Sequence, residues 1–114
     1  MRRRSSERRF AERELTGVDE SGEEERIVIW IERRPGALWV VGRSVNAHLR
    51  DTEDPRPDEV EFEGYELEEA LVRANETLED DVTVLEREGR TVDARPFTRK
   101  EVLPRLERWF FGRG

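Results

Sequence analysis

Ile27-Val28-Ile29-Trp30-Ile31 and Leu38-Trp39-Val40-Val41 stand on either side of Pro35-Gly36, and the reading of this stretch, from Arg26 to Val45, decides the fold. Both apolar runs are short and rich in β-branched and aromatic residues. They are bounded by charge and by a turn dipeptide, which makes them two strands of a β-hairpin rather than a buried helix. Closing the turn with Arg34 opposite Ala37 puts Ile31 opposite Val40, Trp30 opposite Val41 and Ile29 opposite Gly42. Ile27, Ile29, Ile31, Leu38 and Val40 then share one face, and Val28, Trp30, Trp39 and Val41 the other. A ribbon that is apolar on both sides belongs in the middle of a sheet, with helices on at least one face. The turn is the weak point. An L-Pro-Gly pair suits a type II turn, whose twist fits a two-residue hairpin badly, so a longer or bulged loop is expected, which leaves the pairing open to a slip of one residue.

Working outward, the chain enters the hairpin through Asp19 to Glu25, an acidic turn around Ser21-Gly22. Before that, residues 10–18 fit two descriptions, an edge strand or a short helix that Gly17 ends, with the helix preferred. Residues 1–9 are too polar to bury anything and read as a flexible, arginine-rich arm preceding a single domain over residues 10–114. After the hairpin comes an irregular segment, 46–58, whose Pro55 and Pro57 exclude helix in its second half. Glu59 to Glu63 alternates, with Val60 and Phe62 to one side, and forms a further strand that Gly64 ends.

Glu66 to Glu79 is the clearest helix, because Leu67, Ala70, Leu71, Ala74 and Leu78 recur at steps of three and four residues. Acids at its far end oppose the helix dipole, so fraying is expected there. Val82 to Arg87 reads as a strand, Glu88-Gly89 as a turn and Thr91 to Arg95 as a weaker return strand. A second helix, about 98–111, is announced by the capping box Thr98/Glu101 and the flanking pair Phe97/Val102; Pro104 either bends it or starts it. The expected fold is therefore α+β: an antiparallel sheet of four or five strands built around the hairpin 26–45, with the helices at about 66–79 and 98–111 on one face.

Composition narrows the function classes. Charged residues make up 43% of 114, with a net charge of −7. Residues 1–13 carry six arginines against two glutamates, a local +4 that leaves −11 on the remainder. Phosphates are repelled by such a body, so only the arm is suited to nucleic acid. Cysteine is absent, which removes disulfides, thiolate metal ligands and cysteine nucleophiles. No apolar run approaches the ~20 residues that span a bilayer, and none follows the first arginines, so a soluble, cytoplasmic protein is expected.

Few residues offer chemistry. His48 is the only histidine, with Asn46 and Asp51 near it as orienting groups, yet a surface histidine in a polar loop explains it as well. The acid groups Asp19, Glu20, Glu23, Glu24, Glu25 and Asp51, Glu53, Asp54, Asp58, Glu59 lack the order of an EF-hand loop and read as solvated faces. No catalytic, metal or cofactor site is expected. Trp30, Trp39, Trp109, Phe110 and Phe111 are the candidate interaction residues, since three consecutive aromatics cannot all lie on one stripe of a helix. Arg2, Arg3, Arg4, Arg8 and Arg9 are the candidate phosphate contacts. The first function reading is a non-enzymatic interaction or regulatory module, acting on a protein partner or on a second copy through the aromatic C-terminus or a groove beside the hairpin. The alternative is nucleic-acid binding by the arginine arm together with the hairpin face.

Overall fold

The computed structural model describes residues 9–18, 21–46, 59–90, 92 and 94–103. They form an α+β fold, a four-stranded antiparallel open sheet with helices against it. Strands β1 (Arg9–Val18), β2 (Glu24–Arg34), β3 (Leu38–Val45) and β4 (Val60–Gly64) lie in the order β1-β2-β3-β4, each paired with its neighbour in sequence. Helix α1 (Leu67–Arg87) packs on β2, β3 and β4. A second helix begins at residue 99 and is helical through 103. The expectations for residues 1–8, for 47–58 and for 104–111, including Pro104, lie outside the described residues.

The hairpin is present with the register slipped by one. Ile31 pairs with Val41, Trp30 with Gly42, Ile29 with Arg43 and Arg34 with Leu38. Pro35 holds φ near −65° and so cannot take the first place of a two-residue hairpin turn, which needs φ above zero. The chain uses three residues instead, and the left-handed conformation falls on Gly36 (φ 86°) and Ala37 (φ 63°). Consequently Ile27, Ile29 and Ile31 share a face with Trp39 and Val41 rather than with Leu38 and Val40. Trp39 and Val41 join the three isoleucines, Ala70, Leu71, Ala74, Leu78 and Leu85 in one core. The other face is buried too, with Trp30, Glu32, Val40 and Ser44 each nearly closed to solvent. Gly42 lies directly under the Trp30 indole, and a Cβ there would collide with the ring.

Residues 10–18 are a strand, not the preferred helix. Ala11, Arg13, Leu15 and Gly17 are buried while Glu12, Glu14, Thr16 and Val18 are exposed, the period of two that pairs β1 with β2 from Ala11↔Ile31 to Val18↔Glu24. A charged residue at an inward position had hidden that alternation. At the start of β1 a bulge sets Phe10 edge-on to Trp39, ring centroids 5.4 Å apart.

Residues 82–87, expected as a strand, are the last turns of α1. Its buried positions are Ala70, Leu71, Ala74, Thr77, Leu78, Asp81 and Leu85, a stripe at steps of three and four that runs the length of the helix. The acids at its far end cost less than their sign implies, because Asp81 is taken up by Arg43 of β3 through two bonds, Arg43 Nε to Oδ2 at 2.7 Å and Nη2 to Oδ1 at 2.8 Å. Gly89 (φ 83°) then ends the helix, the Gly89 amide donating to the Glu86 carbonyl and the Arg90 amide to that of Leu85, a Schellman closure. Among the described residues, 92, 94 and 95 belong to no strand, so the expected fifth strand is not seen. The chain there is fastened by side chains instead: Asn75 of α1 exchanges two hydrogen bonds with the Phe97 backbone, and Arg13 of β1 binds the carbonyls of Arg95 and Pro96. Thr98 caps the second helix through the Glu101 amide, as its spacing predicts, while the Glu101 carboxylate goes to Arg13.

Candidate functional site

The hairpin tryptophans, expected at an interaction surface, sit inside the sheet. Trp30 is 1% exposed, donates its indole N–H to Glu32 Oε1 at 2.7 Å and lies under the Arg9 guanidinium at 4.0 Å. Trp39 packs against Phe10, and Arg33 covers its ring at 4.6 Å. Of the arm, Arg9 is described and opens β1; Arg2, Arg3, Arg4 and Arg8 lie outside the described residues, as do His48, Trp109, Phe110 and Phe111. In the first acid group Glu24 pairs with Arg26 and Glu25 with Arg90. Among the described residues no three or more His, Asp or Glu side chains converge where a metal ion would sit.

Three buried polar assemblies hold elements together. The Arg13 side chain, 7% exposed, uses all five of its N–H donors. Its Nε reaches Arg95 O, Nη1 reaches Glu12 O and Glu101 Oε2, and Nη2 reaches Pro96 O and Glu101 Oε1, at 2.7 to 2.9 Å. Glu32, 1% exposed, accepts from the Trp30 indole and from Arg34 Nε at 2.7 Å. Arg43 and Asp81 form the third, and the hydrogen bonds that Arg43 donates to the Asp81 carboxylate raise the Arg43 pKa above its ordinary value against the opposing effect of burial. The groups in these sets bond to one another across elements and so fasten the fold.

A groove opens at the edge of the described sheet. Among the described residues β4 is the outermost strand, paired with β3 on one side alone, and α1 runs above it. Between them lies a groove of about 430 Å³ lined by Phe62 of β4 and by Glu68, Glu69, Val72, Arg73 and Glu76 of α1. Positions 69, 72, 73 and 76 follow one helical stripe, the side of α1 turned away from the core. Val72 is 58% exposed there, and Tyr65, at the corner where β4 gives way to α1, is 72% exposed. Arg73 spans the floor, donating to the Glu61 carbonyl at 3.0 Å with its guanidinium 5.9 Å from the Phe62 ring, and pairs with Glu76. Glu68 pairs with Arg99, whereas Glu69 has no ion-pair partner among the described residues. The result is an apolar floor, a rim that is acidic on balance and a strand edge with hydrogen-bonding groups to offer.

Sequence reasoning identified β4 and α1 but not the groove, because Val72 falls outside the apolar stripe of the helix and Tyr65 outside both elements. An exposed valine one turn from Glu69 and Glu76 was the available signal. No protein-family model, curated protein or solved structure matches the chain.

Proposed function

We propose that the chain is a non-enzymatic protein-interaction module that receives an extended, cationic segment of a partner along β4 and the groove beneath α1. The observation that carries this reading is the coincidence of a sheet edge with no strand partner among the described residues and an acid-rimmed apolar groove. An extended peptide added to such an edge gains main-chain hydrogen bonds from the strand, and every second side chain points into the groove, where spacing and charge select it. Phe62 and Val72 suit aliphatic stems, and Glu68, Glu69 and Glu76 suit the cationic heads that such stems carry. An acidic peptide would meet like charge at the rim and be rejected.

The test is fluorescence anisotropy with a labelled peptide of alternating Arg and Val residues and the full-length chain. Saturable binding that falls with added salt and is lost in Val72→Lys supports the reading. Absence of binding at low salt, or binding that Val72→Lys leaves intact, contradicts it.

A further inference from the structure

The chain itself carries a segment whose charge matches the groove. Its groove is acidic on balance, and its own first eight residues, Met1 to Arg8, contain Arg2, Arg3, Arg4 and Arg8 with a single acid, Glu7. Period two in an extended segment puts Arg2, Arg4, Ser6 and Arg8 on one side and Met1, Arg3, Ser5 and Glu7 on the other. The first set is wholly cationic or neutral. Laid along β4, it faces the groove and brings three guanidinium groups to Glu68, Glu69 and Glu76, with Glu69 the acid that has no ion-pair partner among the described residues.

The geometry also says which copy supplies the arm. It leaves the fold at Arg9, the start of β1, on the opposite edge of the sheet from β4. An arm added beside β4 lies one spacing beyond it, so four strand spacings of about 4.8 Å put it roughly 19 Å from β1. Pairing along the five residues of β4 leaves three of the eight before Arg9, four Cα steps with a reach of about 14 Å even fully extended. Residues 1–8 of one chain therefore cannot serve its own groove. We infer that the β4–α1 groove of one copy is occupied by the arginine arm, residues 1–8, of a second copy, the exchange being mutual and closing a dimer. This rests on the reading of the groove given above.

Sedimentation of full-length chains tests it. The wild-type chain is expected to dimerise reversibly, and its dissociation constant to rise about tenfold or more as ionic strength goes from about 0.1 to 1 M and the screening length falls from about 10 to 3 Å. Reversing the arm (Arg2→Glu, Arg4→Glu, Arg8→Glu) and reversing the groove (Glu68→Lys, Glu69→Lys, Glu76→Lys) should each give a monomer with an unchanged far-UV circular dichroism spectrum. Mixing those two variants should restore a one-to-one complex, because one retains the native groove and the other the native arm. Both reversals in one chain should restore self-association. A wild-type monomer, or an arm-reversed chain that associates as the wild type does, overturns the inference. If the wild type stays monomeric yet captures the Arg-Val peptide, this inference fails and the groove's function stands. If it does neither, both fail.

Discussion

Removing the Arg13 guanidinium tests how the C-terminal segment is held. That group sits between β1 and residues 95–101 with five donors bonded, and it lies 4.4 Å from the Phe97 ring. Arg13→Ala leaves the Arg95 and Pro96 carbonyls without donors and Glu101 without its cation. Breaking a fully buried ion pair costs about 3–5 kcal/mol. The Glu101 side chain is 30% exposed and rehydrates in part, which brings the expectation down to about 2–3 kcal/mol. At about 4 °C per kcal/mol for a domain of this size, the melting temperature should fall by about 10 °C. Arg13→Lys separates charge from geometry: an ammonium keeps the charge but has three donors and no planar fork, so about half the loss should remain. Urea denaturation with linear extrapolation, read by circular dichroism, gives both values. An Arg13→Ala chain within about 0.5 kcal/mol of wild type, the scatter ordinary surface changes show, would refute the reasoning. So would an Arg13→Lys chain indistinguishable from wild type.

Two further substitutions probe the hairpin. Gly42→Ala, which in most strands is neutral or favourable, should here destabilise by about 1–3 kcal/mol and alter the near-UV signal of tryptophan, because the new Cβ displaces the Trp30 ring and its bond to Glu32. Ala37→Gly should raise stability by about 0.5 kcal/mol: relieving a left-handed alanine returns about 1 kcal/mol, and the added freedom of the unfolded chain takes back part of it.

The hairpin, β4 and the first half of α1 were legible because their patterns are local: apolar runs of strand length, a turn dipeptide, and a stripe at helical spacing. The exact register was not, since it follows from a three-residue loop whose φ values fall on Gly36 and Ala37 after Pro35 has taken the first place. β1 and the end of α1 were misread for a shared reason. Arg13 and Asp81 are charged residues at inward positions, and each is admitted there by a partner far away in sequence, Glu101 and Arg43. Read locally, they break the alternation of a strand and the stripe of a helix. In Val82-Thr83-Val84, β-branching favoured a strand, and Leu85, one stripe step beyond Asp81, carried the helix through in the folded chain. The groove was invisible for a similar reason, because it exists only once α1 lies across β4.

The claim that β4 and α1 form a receiving surface is tested most directly by nuclear magnetic resonance of the ¹⁵N-labelled full-length chain, titrated with the unlabelled Arg-Val peptide. The account predicts that the amide resonances of residues 60–64 and of α1 around Glu69, Val72 and Glu76 shift together and saturate. The amides of β2 should stay in place. Shifts confined to β1 or to the 35–37 turn, or none at saturating peptide, would contradict it.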